Sequence, residues 1–192
     1  MDATISFLSE RVTTERLVLE QPSGIDVHDV QAFFMENRVF HAPWEPLRDD
    51  DFYELEHLRS MLIRQDIENL NGTALYLYLK RTGEDEVIGS VALSNIIYGA
   101  FRSCFLGYRI ARSQTSHGYM TEAVEQVIHI AFERYRLHRI EANIMPGNHA
   151  SVRLVEKLGF AEEGYSSRYL KVAGVWEGHC HFVLLNDALE HL

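Results

Sequence analysis

Basic residues are the first shortage in this chain. Its 18 Lys and Arg face 28 Asp and Glu, leaving a formal net charge of −10, and so acidic a chain lacks the basic face that general nucleic-acid binding needs. Such a charge suits a basic partner, a ribosomal protein being one kind. Long hydrophobic runs are missing too: nothing approaches the roughly 18 uncharged apolar residues of a transmembrane helix. The stretch from Met1 to Arg11 carries two acids and a single basic residue, unlike a secretory signal, so the cytoplasm is the expected compartment. Cysteine is scarce. Cys104 and Cys180 lie in separate apolar runs, which favours free buried thiols over a disulfide. Repeats, low-complexity segments and linkers are absent as well.

What remains is ordinary globular material. The 192 residues are 46% hydrophobic and 24% charged, enough for one domain with a sizeable core and too few for two. Thr13 to Glu20 reads as a first strand with Leu17 and Leu19 on one face, and Val27, Val30, Phe33 and Phe34 have the spacing of a short amphipathic helix. Pro43 and Pro46 around Trp44 and Glu45 predict an ordered loop from Asn37 onward. Asp49, Asp50 and Asp51 are placed to open a second helix reaching about Asn69, because acids favour a first turn. Three strands joined by short turns follow, Leu75 to Leu79, Val87 to Leu93 and Phe101 to Ile110, and imply an antiparallel meander. Next come a long helix, a strand from His138 to Met145 and a short helix from Asn148 to Leu158. Two last strands run near Phe160 to Leu170 and Gly174 to Leu185. The pattern describes one mixed α/β (α+β) domain, not an all-parallel sheet.

The segment that points to chemistry is Ser116 to Ala123, Ser-His-Gly-Tyr-Met-Thr-Glu-Ala. It follows the apolar run from Cys104 to Ile110 and a polar turn. After it, Met120, Val124, Val127, Ile128, Ala131, Phe132 and Tyr135 recur at helical spacing. A glycine-containing turn between strand and helix presents backbone N–H groups to an anion, most often a phosphate. The bland alternative is a glycine that merely relieves crowding at a helix start.

With Phe105-Leu106-Gly107-Tyr108, His117 to Ala123, Asn148-His149-Ala150-Ser151 and Leu158-Gly159-Phe160, the chain resembles the GNAT acetyltransferases. A second set of motifs makes it similar to the ribosomal-protein-alanine N-acetyltransferases of that superfamily. They are Thr14-Glu15-Arg16-Leu17, Glu36-Asn37-Arg38, Pro43-Trp44-Glu45-Pro46, Ser94-Asn95, His138-Arg139-Ile140, Met145-Pro146 and Glu163-Gly164-Tyr165, in the family's order. The resemblance implies an N-terminal extension over 1–12, an acetyltransferase domain over 13–187 and a tail over 188–192. It implies a mostly antiparallel, seven-stranded sheet splayed between strands four and five, with four or so flanking helices. It also implies acetyl-CoA as donor, no metal, and a basic protein N-terminus as acceptor, an alanine of a ribosomal protein. A small-molecule amine or a lysine is the alternative acceptor, and an acyl-CoA-binding module without catalysis is the alternative class.

Residue by residue, the resemblance assigns the pyrophosphate to the N–H groups of Ser116, His117, Gly118, Tyr119, Met120 and Thr121, with charge from Arg112 and His117. Ser116 stands where the family usually has glycine. Backbone groups of Tyr108, Ile110 and Arg112 would pair with the pantetheine arm, helped by Asn148, which is equally a natural helix cap. Ser151 would stabilise the leaving thiolate. An α-amine, with a pKa of roughly 8 against about 10.4 for lysine, needs only a weak base or a water relay. Some relatives carry Glu two residues before the Gly-Tyr of strand four; here that residue is Phe105, which leaves Glu141 as the substitute base. Trp44, Glu45, Tyr165 and Tyr169 are the expected acceptor wall, with Glu45 holding a cationic N-terminus. His179 and His181 share a strand face but lack a third metal ligand.

Overall fold

A computed structural model describes residues 11–189, so most of the expected N-terminal extension and the end of the expected tail lie outside the described residues. Among the described residues the sheet has eight strands, not seven. The expected first strand is two, β1 (Val12–Thr13) and β2 (Leu17–Glu20), paired antiparallel. The Thr14 side chain causes the break: its Oγ1 accepts the Leu17 N–H, and the Thr14 N–H donates to the Leu17 carbonyl.

Two helices depart from the sequence reading in extent. Helix α1 runs from Val27 to His41, capped by Asp26, whose carboxylate accepts the His28 N–H. The expected loop therefore starts at Ala42, not Asn37. Proline restrains only the residue before it, and the turns ahead are held by buried Asn37, which donates to the Phe33 carbonyl. The three consecutive aspartates lie around a separate 3-10 turn (Asp50–Tyr53), and extended Glu54 divides it from α2 (Leu55–Asn71). Left-handed Gly72 ends α2.

Strands β3 (Leu75–Arg81), β4 (Val87–Ile97) and β5 (Ser103–Ile110) form the expected antiparallel meander. Helix α3 (Tyr119–Glu133) leads to β6 (Arg139–Ile144), which lies parallel to β5. Helix α4 (His149–Lys157) precedes a long hairpin, β7 (Ala161–Val172) and β8 (Val175–Leu185). The sheet order is β1-β2-β3-β4-β5-β6-β8-β7.

Alternation in β3 sends Leu75, Leu77 and Leu79 to one face, where they join Ala123, Val127, Ile130 and Ala131 of α3 in the larger core. Tyr78 goes to the other face and joins Phe33 and Phe34 of α1 with Phe52, Leu58, Met61 and Leu62. The hairpin tip reaches back over the sheet, where the Ala173 N–H donates to the Glu45 carbonyl at 2.8 Å. Both cysteines are free, Cys104 buried and Cys180 half-buried; burial pushes the Cys104 thiol up to about 12. Among the described residues, no helix is long and apolar enough to cross a membrane.

Candidate active site

The site begins where two strands part. Strand β5 pairs with β4 along its whole length, but with β6 only from Ser103 to Phe105, opposite Arg139 to Glu141. Strand β6 keeps its other edge paired with β8 from Arg139 to Ile144, so beyond Glu141 it has no strand on the β5 side. Antiparallel pairing turns successive residues to alternate edges, and the Ala111 N–H points to Ile88 of β4. The N–H and C=O of Tyr108 and Ile110 consequently face the vacated edge. A cavity of about 880 Å³ opens there, walled by β5, the start of α3, β6, α4 and the loop after α1. One of these backbone groups is already engaged: buried His41 donates from Nε2 to the Ile110 carbonyl at 2.9 Å. Arg112 lies outside the cavity wall, and its N–H is taken by Asn37 Oδ1 at 2.8 Å.

The loop before α3 has the geometry of an anion cradle. Ser116 and Gly118 both have left-handed backbone, with φ of 65° and 81°, so the chain adopts at Ser116 the conformation that glycine would take without strain. Ser116, Gly118, Tyr119, Met120 and Thr121 line the cavity. His117 does not; its exposed ring stacks on Tyr119. Its carbonyl accepts Arg16 Nη1 at 2.9 Å, and the Arg16 guanidinium lies 4.8 Å from the Tyr119 ring centre. Glu122 completes this clamp by accepting Thr14 Oγ1 at 2.6 Å, the Arg16 N–H at 2.9 Å and Arg16 Nε at 2.7 Å. Burial alone would raise the Glu122 carboxyl, but the hydrogen bonds from Thr14 and Arg16, with the charge of Arg16, hold it below its ordinary value. The Thr14-Glu15-Arg16 motif thus ties the first strands to the loop.

The cationic side chains on the cavity wall are not Arg112 and His117 but Arg48, Arg109 and, on helix α4, Arg153 and Lys157. For the α4 pair, i, i+4 spacing on an amphipathic helix was the available signal. Asn148 caps α4 by accepting the Ser151 N–H at 3.2 Å, and both residues line the cavity. The Tyr108 phenol spans the opening and donates to the Ser151 carbonyl at 3.2 Å. Burial pushes that phenol up to about 12, against the opposite pull of this hydrogen bond, so it stays protonated.

Glu141 is not on the cavity wall. Arg139 holds its carboxylate at 2.9 Å, with His181 Nδ1 3.6 Å away. His179, read from sequence only as a weak metal signal, is buried and lines the cavity. Its Nδ1 donates to the Glu177 carbonyl at 3.2 Å, which leaves Nε2 with a lone pair when the ring is neutral. Burial is the main cause that pushes this imidazole below its usual value, with His181 adding to it. His181 instead bonds Asn143 and Ser166. Among the described residues, no three His, Cys, Asp or Glu side chains gather as a metal site would require.

Of the expected acceptor wall, Trp44 and Glu45 line the cavity and Tyr165 and Tyr169 do not. Glu45 already has a cation, Arg109, at 3.1 Å. Tyr165 lies across Gly178 so closely that a Cβ there would sit 1.9 Å from its hydroxyl. Tyr169 packs its ring against His179 and His181.

A mixed sheet splayed beside a helix N-terminus, with a deep cavity in the splay, defines an acyl-CoA-using acetyltransferase fold. The profile of the acetyltransferase (GNAT) domain matches residues 16–161, and the chain belongs to that family of acyltransferases. It is 36% identical over 169 residues, 88% of this chain and 87% of the other, to the [ribosomal protein uS5]-alanine N-acetyltransferase of Escherichia coli. Its fold is similar to that of the ribosomal-protein-S5-alanine acetyltransferase of Vibrio fischeri, with a TM-score of 0.87, 30% identity, and coverage of 93% of this chain and 98% of that one. It is also similar to Mycobacterium smegmatis RimJ in complex with CoA-disulfide, with a TM-score of 0.82, 28% identity, and coverage of 91% and 84%.

Proposed function

We propose that this chain transfers the acetyl group of acetyl-CoA to the α-amino group of a protein N-terminal alanine, the acceptor being a ribosomal protein in the cytoplasm. The observation that carries this reading is the edge of β5 at Tyr108 and Ile110, which has no partner strand and opens on the cavity beside the left-handed loop of α3. The residues present fit the donor. The N–H groups of Ser116 to Thr121 and the start of α3 suit a pyrophosphate, Arg153 and Lys157 offset its charge, and the β5 edge offers strand-like hydrogen bonds to an amide-bearing arm. The acceptor follows from the alanine N-acetyltransferase similarity.

Acetyl-CoA supplies an acetyl thioester. Nucleophilic attack by the neutral amine forms the C–N bond and breaks the C–S bond, so the protein must take one proton from nitrogen and support the departing sulfur. His179 replaces Glu141 in the first role, through its Nε2 lone pair. Ser151, in the first turn of α4, suits the second, with its backbone held by Asn148 and Tyr108. An α-amine with a pKa near 8 asks little of such a base.

The test is steady-state release of CoA thiol with peptides that begin with Ala or Ser, and with an N-terminally blocked peptide carrying one lysine. Turnover is expected with the free Ala terminus and not with the blocked peptide. No turnover with any free terminus, or equal turnover on the lysine, overturns the reading.

A further inference from the structure

A second chamber, of about 280 Å³, lies on the α1–α2 side of the sheet and meets the donor cavity at Arg48, Gly107, Tyr108 and Arg109. Gly107 is the threshold. It shares a face of β5 with Arg109, and a Cβ there would find nothing within 4 Å. The chamber is basic in a chain whose net charge is −10. Arg48, His57, Arg64 and Arg109 line it with Gln65 and Tyr78, and no Asp or Glu does.

These cations are only partly engaged by carboxylates of the chain. Arg109 Nη1 is buried and makes no hydrogen bond, its 3.1 Å approach to Glu45 lacking the alignment of one. Arg48 lies 4.2 Å over the Phe52 ring and, among the described residues, enters no ion pair. Arg64 reaches Glu68 only at 4.0 Å. Guanidinium groups around a recess suit a carboxylate, which they bind as a planar, charge-assisted pair.

We infer that this chamber is a subsite for a carboxylate of the acceptor, carried on an acidic side chain within its first few residues. The inference rests on the acetyl-transfer function proposed above. An acceptor whose amine enters over Gly107 has its next residues at the chamber mouth, since an extended chain advances about 3.3–3.6 Å per residue. The subsite adds to the amine site a selection for an acid in the residues that follow the terminus. It also revises the acceptor expected from the net charge of the chain: the surface favours a basic partner at long range, while the site selects an anion.

The experiment uses the full chain, acetyl-CoA and C-terminally amidated peptides that start with Ala. Each carries Glu, Gln or Lys at the second, third or fourth position in an otherwise neutral sequence. At one of these positions kcat/KM for Glu is expected to exceed that for Gln on the order of tenfold, with Lys poorest. The Arg48→Gln, Arg64→Gln double variant is expected to bring the Glu-to-Gln ratio near one, and a ratio is insensitive to a general loss of active enzyme. A wild-type ratio near one at every position overturns the inference even if the variant fails to fold. A preference that survives in the double variant places the selecting group elsewhere and overturns this site. If a free C-terminal carboxylate on the Gln peptides gives the gain and the Glu side chain does not, the ligand is a short free acid and the acidic side chain is excluded. No turnover of any peptide would sink the transfer reading first, and the subsite with it.

Discussion

On the side of the sheet covered by α3 and α4, leucines of β3 meet the alanines, valines and isoleucine of α3 in a continuous, mainly aliphatic core. On the side covered by α1 and α2 the core is smaller, rich in phenylalanine, and stops at a chamber lined by arginine. The face proposed for the donor is built largely from short segments: the β5 edge, the loop and first turn of α3, and the first turns of α4. The face proposed for the acceptor gathers Trp44, Glu45, Arg64, Gly107, Arg109 and His179 from across the chain. Close packing against one flat helix suits a face that must hold a ligand backbone at fixed register. Loops and long side chains suit a face that must discriminate.

The largest effect is expected from breaking the donor face at its loop. Gly118 holds φ of 81°, and its Cβ would meet only the end of Arg16 at 3.4 Å. Gly118→Val therefore leaves the core alone but forces a β-branched residue into left-handed backbone. CoA affinity by calorimetry is expected to fall at least about 100-fold, because the N–H groups lose their convergence. Retained affinity would remove the loop from the donor site.

Gly107→Val is the matching break on the acceptor face. The space around Gly107 is open, so CoA affinity and melting temperature should hold. Peptide kcat/KM should drop on the order of 100-fold, the cost of misplacing a reactant by about an ångström. Equal loss of CoA binding would mean that the two faces are not separable at this point.

How much of this could be read from the sequence divides along the same line. The donor face is local, so its helix period, glycine and cap were visible, and Ser116 to Thr121, Asn148 and Ser151 came from contiguous motifs. The split of the first strand was not visible, because it depends on a side chain bonding its own backbone at Thr14 and Leu17. Arg16 was visible only as part of a motif, since its partner Glu122 lies over a hundred residues away. Glu141 lies off the cavity wall because one residue at β6 decides between cavity and ion pair, and Arg139 claims it. Alternation places His179 and His181 on one strand face, but only His179 lines the cavity, while His181 bonds Asn143 and Ser166.

A third effect, of about tenfold to 100-fold in kcat, is expected for His179→Gln, at or below the low end of general-base catalysis because the α-amine is itself a modest acid. Wild-type kcat/KM should rise with pH toward the amine pKa near 8. An additional limb from the imidazole should lie below about 6.5, where burial has moved it. That limb should vanish in the variant, and its persistence would clear His179 of the role. The linked stability has a definite sign: the folded pKa is lowered, so the contribution is complete above about 6.5 and is lost as pH falls through the folded value.

Arg16→Ala sharpens the comparison more gently. It removes the donors that Glu122 and the His117 carbonyl accept, so KM for acetyl-CoA should rise about fivefold, as for a partly exposed charged contact. The kcat at saturating donor and the peptide KM should stay close to wild type. A change in peptide KM instead would mean that the first strands influence both faces.

The smallest effect belongs to Ser116→Gly, two residues from the largest. A non-glycine residue in left-handed backbone costs about 1–2 kcal/mol, while glycine adds roughly 0.5–1 kcal/mol of unfolded-state entropy to be lost. The two largely offset each other. The variant should gain between zero and about 1.5 kcal/mol, a shift of at most roughly 3–6 °C in melting temperature for a chain of this size. CoA affinity should not move, since both residues hold the same φ and offer the same N–H to the anion. A tenfold change in affinity would mean that the Ser116 hydroxyl itself contacts the donor. In that case the departure from glycine is a specificity element of the donor face, and the loop contributes a side chain to it as well as backbone.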